Sequence, residues 1–148
     1  MSAAIDRNRI VAEARAWIGT PYHHQASAID IGSDCIGVVR GVWRALYGRE
    51  AQAMPSYAPD WAIGEELLLE GARRHLVEVP VDAICAGDVL VFRMRPGRPA
   101  KHCGIVVDTD ATCRMVHAWD AVPAVCEIAL DDWWRRRIAA AFAFPGAS

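Results

Sequence analysis

Lysine is all but missing from this 148-residue chain: of its 16 basic residues every one except Lys101 is arginine. The formal net charge is −2, so the molecule lacks the positive field by which proteins hold nucleic acid, and no nucleic-acid partner is expected. The short run Arg135-Arg136-Arg137 reads as a solvated face. No apolar stretch approaches the ~18–20 residues of a membrane span; the longest, residues 138–144, is strand-sized. The opening Met1-Ser2-Ala3-Ala4-Ile5-Asp6-Arg7 lacks the apolar segment of a secretory signal. Synthesis in the cytoplasm without a membrane anchor is therefore expected, with any export by another route. The 5 cysteines, Cys35, Cys85, Cys103, Cys113 and Cys126, show no CxxC spacing, which argues against a disulfide framework and a zinc ribbon. Repeats, low-complexity tracts and linkers are also missing, so residues 1–148 read as a single domain.

What is present is an ordinary globular mixture, 53% hydrophobic and 23% charged. The first half has helical period. Asp6 can cap a helix carrying Ile10, Val11, Ala14, Trp17 and Ile18, stopped by Gly19-Thr20-Pro21-Tyr22. After a polar loop, Ser33 or Asp34 can cap a second helix with Ile36, Val39, Val42, Trp43, Leu46 and Tyr47 on one side, ended by Gly48. Pro55 and Pro59 mark a loop, and residues 61–76 suggest a third helix. The second half changes period. Residues 77–81, 89–94, 103–107, 114–119, 125–130 and 138–144 are short β-branched or apolar runs between turns. Strands in succession without helices between them predict an antiparallel meander, and the class is α+β.

Cys35 lies in Gly32-Ser33-Asp34-Cys35-Ile36-Gly37, where a polar loop becomes an apolar helix. Unpaired backbone N–H groups and the helix dipole favour an anion there, which lowers a thiol's pKa and can steady an oxyanion. A cysteine packed on the core fits the same segment. Of the 5 histidines, His102 opens an apolar strand and His117 sits on its expected neighbour. Antiparallel pairing of those strands brings the two within cross-strand range, so that one acts as base while the other orients it. Adjacent His23 and His24 point apart in extended chain and rarely share one ion, and no metal or other cofactor is expected. His75, beside Arg73-Arg74, reads as exposed, and Cys85, Cys113 and Cys126 as packing residues.

Five ordered segments carry a family resemblance. Ala16-Trp17-Ile18-Gly19-Thr20-Pro21-Tyr22 is similar to a "GTPY" opening, and Asp34-Cys35-Ile36-Gly37-Val38-Val39 to "DCSGLV". Ala86-Gly87-Asp88-Val89-Leu90-Val91-Phe92 is similar to "PGDLVFF", His102-Cys103-Gly104-Ile105-Val106 to "HVGIY", and Val116-His117-Ala118 falls where a third, polar residue belongs. Over nearly its whole length the chain thus resembles the NlpC-type cell-wall peptidases. That resemblance implies a papain-like α+β fold, with N-terminal helices packed on a mainly antiparallel five- to six-stranded sheet. It implies Cys35 as nucleophile, His102 as base and His117 as its orienting partner. Tyr22 matches a tyrosine facing the cleft, and Asp34 the acidic neighbour of the cysteine, as cap, substrate contact or both.

Two departures stand out: Ile36 replaces the family's serine, which makes a cleft-lining position apolar, and His23-His24-Gln25 replaces "WGG". The implied activity is hydrolysis of an amide bond in peptidoglycan stem peptides, of D-glutamyl-diamino acid type. The compact form without export signal is similar to the family's phage-tail and gene-transfer-particle branch, which implies tail or baseplate partners and action at the cell wall. Two other classes fit the same segments: a silent tail adaptor that keeps the fold, and a papain-like acyltransferase.

Overall fold

Asp6 opens the first helix, α1 (Arg7–Arg15), by accepting a hydrogen bond from the backbone N–H of Asn8 at 2.8 Å. The computed structural model describes residues 4–51 and 66–148. Ile10, Val11 and Ala14 are the buried face of α1, and Trp17, just past its end, is buried with them. Ile18, expected on that stripe, is 42% exposed, because the helix has already ended and the chain turns at Gly19. A small hairpin of β1 (Ser27–Ala28) and β2 (Gly32–Ser33) then leads into α2 (Cys35–Tyr47). Gly48 closes α2 in the left-handed conformation at φ 77°. The buried face of α2 is Ile36, Gly37, Val38, Gly41 and Val42, while Val39, Trp43, Leu46 and Tyr47 are half-buried. Helical spacing among large apolar residues missed Gly37 and Gly41, the positions where other chain segments come nearest.

The third helix, α3 (Leu67–His75), covers the end of the expected one; Pro55, Pro59 and residues 61–65 lie outside the described residues. His75, expected to be exposed, is half-buried with its ring edge-on to Trp43 at 6.1 Å. Six strands follow: β3 (Val77–Val79), β4 (Val89–Phe92), β5 (His102–Asp108), β6 (Arg114–His117), β7 (Cys126–Ala129) and β8 (Ile138–Ala143). Each predicted run overlaps one of them, and β5 extends one residue beyond its run at either end. They form one antiparallel sheet in the order β3-β8-β4-β5-β6-β7. Only β4 to β7 form a meander; β8 returns to lie between β3 and β4, a non-local pairing that no local pattern encodes. A short helix, α4 (Asp132–Arg135), capped by Asp131, precedes β8 and was not anticipated.

Alternation along the strands divides the core into two layers. Val89, Val91, Cys103, Ile105, Val107 and Val116 face α1 and α2, whereas Leu90, Phe92, Val106 and Met115 face Leu130 and Trp134. Asp88 ties the sheet to α1. Its carboxylate, 1% exposed, accepts from Arg7 at 2.7 Å and from the Cys85 N–H at 2.8 Å. Among the other cysteines Cys113 and Cys126 are half-buried, but Cys85 is exposed and so is not the packing residue expected. Nor is the arginine run a plain solvated face: Arg135 donates to the Leu130 carbonyl, and the Arg137 guanidinium stacks on Trp133 at 3.7 Å. Among the described residues no helix is long and apolar enough to cross a membrane.

Candidate active site

The loop before α2 is built around one carboxylate. Asp34 is 4% exposed and accepts from the Gly37 N–H at 2.8 Å and the Gln25 N–H at 2.7 Å. The first bond caps α2 and the second pins the preceding loop, so Cys35 is held as the first residue of the helix. Turning 100° per residue then points Ile36 away from the thiol. Ile36 is 8% exposed within the layer between helices and sheet, so the departure from serine does not make the cleft apolar as expected.

His102 is the first residue of β5 and His117 the last of β6. Ile105 pairs with Val116, and one further step along that register sets Gly104 opposite His117, diagonal to His102. The two rings occupy one face of the sheet, and His102 Nε2 and His117 Nδ1 share a hydrogen bond of 2.9 Å. Gly104 leaves room for this: a Cβ there would stand 3.3 Å from that of His117. The imidazoles rest on an aromatic wall, with Trp134 of α4 centred 5.5 Å from His102 and 5.2 Å from His117, and Phe92 5.8 Å from His102. Both histidines are buried, at 5% and 2% exposed.

With Nε2 turned to His117, the nitrogen of His102 left for the thiol is Nδ1. The Cys35 thiol falls from an ordinary value of 9 to about 5, through a hydrogen bond from Cys103 first, then one from His102 and its charge, against burial. Burial and the neighbouring His102 charge push His117 down to about 3, so it stays a neutral acceptor. Burial, with the charges of Cys35, Asp34 and Asp120, raises Tyr22 to about 12, so its hydroxyl remains a donor at neutral pH.

Tyr22, Asp34, Cys35 and His102 line one cleft with His24, Lys101, Trp119 and Asp120, while His117 lies behind His102. Four of the five predicted site residues thus meet at one opening, with the fifth, His117, hydrogen-bonded to His102. His23 points elsewhere, exposed, with Nδ1 near the His24 carbonyl oxygen. Sequence reasoning missed Cys103, Trp119, Asp120 and Trp134. Only Trp134 carried a local signal, the Asp131 cap before its helix. Among the described residues no group of three or more potential ligands is placed to hold a metal ion.

A thiol at about 5 should be alkylated as thiolate throughout the neutral range. Iodoacetamide should therefore modify Cys35 at a rate that is flat above pH 6 and falls through half near pH 5 as the thiolate takes up its proton. A mass-resolved pH profile checks this; a midpoint between 8 and 9 would mark an ordinary thiol.

The NlpC/P60 family model matches residues 19–139. No curated protein sequence matches. Solved structures that share the fold include the following three. The NlpC/p60 domain of the peptidoglycan hydrolase SagA is 24% identical with a TM-score of 0.67, covering 95% of this chain and 100% of that one. A lipoprotein-like NLP/P60 protein of Staphylococcus aureus is 19% identical with a TM-score of 0.62, covering 96% of this chain and 43% of that one. NlpC2 of Trichomonas vaginalis is 17% identical with a TM-score of 0.65, covering 97% of this chain and 49% of that one. The chain thus spans under half the length of the latter two. With the match extending over most of its residues, the chain belongs to the NlpC/P60 family.

Proposed function

We propose that this chain is a cysteine endopeptidase of peptidoglycan stem peptides, cutting the D-glutamyl-diamino acid amide. The observation that carries this reading is Cys35 and His102 at the wall of one cleft, with His117 hydrogen-bonded to His102 from behind. The SagA domain, named as part of a peptidoglycan hydrolase, supports a cell-wall substrate. Cys35 thiolate attacks the amide carbonyl carbon, and the carbonyl electrons move onto oxygen. The N–H groups at the start of α2, with the Tyr22 hydroxyl across the cleft, hold that oxyanion. His102, protonated on both nitrogens, gives its Nδ1 proton to the leaving amine as the C–N bond breaks. Its Nε2–H stays bonded to neutral His117, which keeps the ring facing the thiol. Water, deprotonated by His102, then attacks the thioester and regenerates the thiolate. Asp34 acts mainly by fixing Cys35, since two backbone amides already occupy its carboxylate.

Action at the tail tip of a phage-like particle, with tail or baseplate proteins as partners, belongs to the same reading. Recovery of the chain with purified particles supports that setting, and its absence from them counts against it. The chemical reading is tested by mass analysis of fragments released from purified sacculi. Fragments with a new D-glutamyl carboxyl and a new diamino acid amine are expected; intact sacculi, or cuts only at sugar bonds, would overturn it.

A further inference from the structure

One cysteine besides Cys35 lies where redox chemistry needs a partner. Cys103 faces α2 from β5, is 2% exposed, and its Sγ–H donates to the Cys35 carbonyl oxygen at 3.4 Å. The nearness of the two side chains also favours the thiolate on Cys35 and the thiol on Cys103. Filling the layer between helix and sheet does not require sulfur there, since Ile105 and Val107 do it on the same strand face. None of the other three cysteines is hydrogen-bonded to Cys35: the exposed Cys85 donates to the Ala83 carbonyl oxygen, and Cys113 and Cys126 begin or precede other strands. An accessible thiolate backed by a sealed thiol is the arrangement of a peroxide-reacting cysteine with its resolving partner.

We infer that Cys35 and Cys103 form a reversible disulfide when the cleft meets a hydroperoxide. Cys35 thiolate attacks the terminal peroxide oxygen, the O–O bond breaks, and sulfur loses two electrons to the departing alkoxide or hydroxide, which takes up a proton. Cys35 is then a sulfenic acid. The Cys103 sulfur attacks it, the S–O bond breaks, and hydroxide leaves with the Cys103 proton as water. In the resting protein the hydrogen bond to Cys35, burial and the Cys35 charge hold the Cys103 thiol well above its ordinary value. Oxidation of Cys35 to a neutral sulfenic acid removes that charge and frees Cys103 to react. The disulfide takes the nucleophile away, spares it from sulfinic acid, and returns it on reduction by a dithiol. Loss of hydrolysis rests on the proposed role of Cys35; the bond itself does not.

The test treats the reduced protein with equimolar hydrogen peroxide, quenches with an alkylating agent and maps peptides without reduction. The expected product is a Cys35–Cys103 cross-linked peptide, reopened by dithiothreitol. In Cys103→Ala, with no thiol to resolve the sulfenic acid, a second equivalent of peroxide should carry Cys35 to sulfinic acid that dithiothreitol does not reverse. Cys35 oxidised beside a free Cys103, Cys35 bonded to any other cysteine or to a second chain, or Cys35 inert to peroxide would each overturn the inference. Mapping needs no substrate, so its failure is separable from failure to cut sacculi.

Discussion

Alanine in place of Cys35 should lower fragment release from sacculi by ~10³-fold or more, and alanine in place of His102 by a similar factor. The double variant should fall little further, because the two residues act as one unit and either loss removes the thiolate–imidazolium pair. His117→Ala should cost less, about 10²-fold, since it holds the ring of His102 without exchanging a proton with substrate. The graded series is informative because the roles differ physically. Cys35 contributes the attacking electrons, His102 moves the proton, and His117 contributes one acceptor at 2.9 Å. His102→Ala should also move the alkylation midpoint of Cys35 upward, since a hydrogen bond and a charge that favour the thiolate both disappear. Fragment release, pH-resolved alkylation and circular dichroism together check these outcomes. Unchanged release in folded Cys35→Ala would remove Cys35 as the nucleophile, and no release by the wild type would leave a silent adaptor as the better description.

Much of this was legible along the chain because it is local. Six strands declared themselves as short β-branched or apolar runs between turns, α1 by Asp6, and the nucleophile helix by a polar loop giving way to an apolar run. The His102–His117 pair was legible too, since two neighbouring strands joined by a short turn have only a few registers. What stayed hidden depends on partners distant in sequence. Cys103 meets Cys35 across 68 positions, and nothing in the segment His102-Cys103-Gly104 distinguishes that thiol from a small core hydrophobe. Trp134 reaches the imidazoles from a helix of four residues, too short to show a period. Ile36 misled for a related reason: adjacency to the thiol in sequence suggested adjacency in the cleft, whereas helical rotation turned it into the core.

Gly37→Ala should cost ~3 kcal/mol or more of stability, and with it the low thiol midpoint of whatever folded fraction remains. A Cβ on Gly37 would stand 2.1 Å from the Ala26 carbonyl oxygen and 2.6 Å from Ser33 Oγ. The first is backbone, so no rotamer change relieves it. The Ala26 carbonyl cannot retreat alone, because it accepts from the Asp34 N–H, and Ser27 Oγ donates to the Gly37 carbonyl oxygen at 2.6 Å. Arg44, further along α2, donates to Ser27 as well, at 2.8 Å and 2.9 Å. Forcing loop and helix apart therefore breaks the Asp34 cap and displaces Cys35 relative to His102. Gly71→Ala in α3 is the matched control: no described atom lies within 4 Å of its Cβ position, and helix propensity predicts a gain of up to ~1 kcal/mol. Opposite signs for the two substitutions in urea unfolding are expected. If Gly37→Ala proved as benign as Gly71→Ala, the loop would be free to move away from α2, and the position of the thiol would not be set by this clamp.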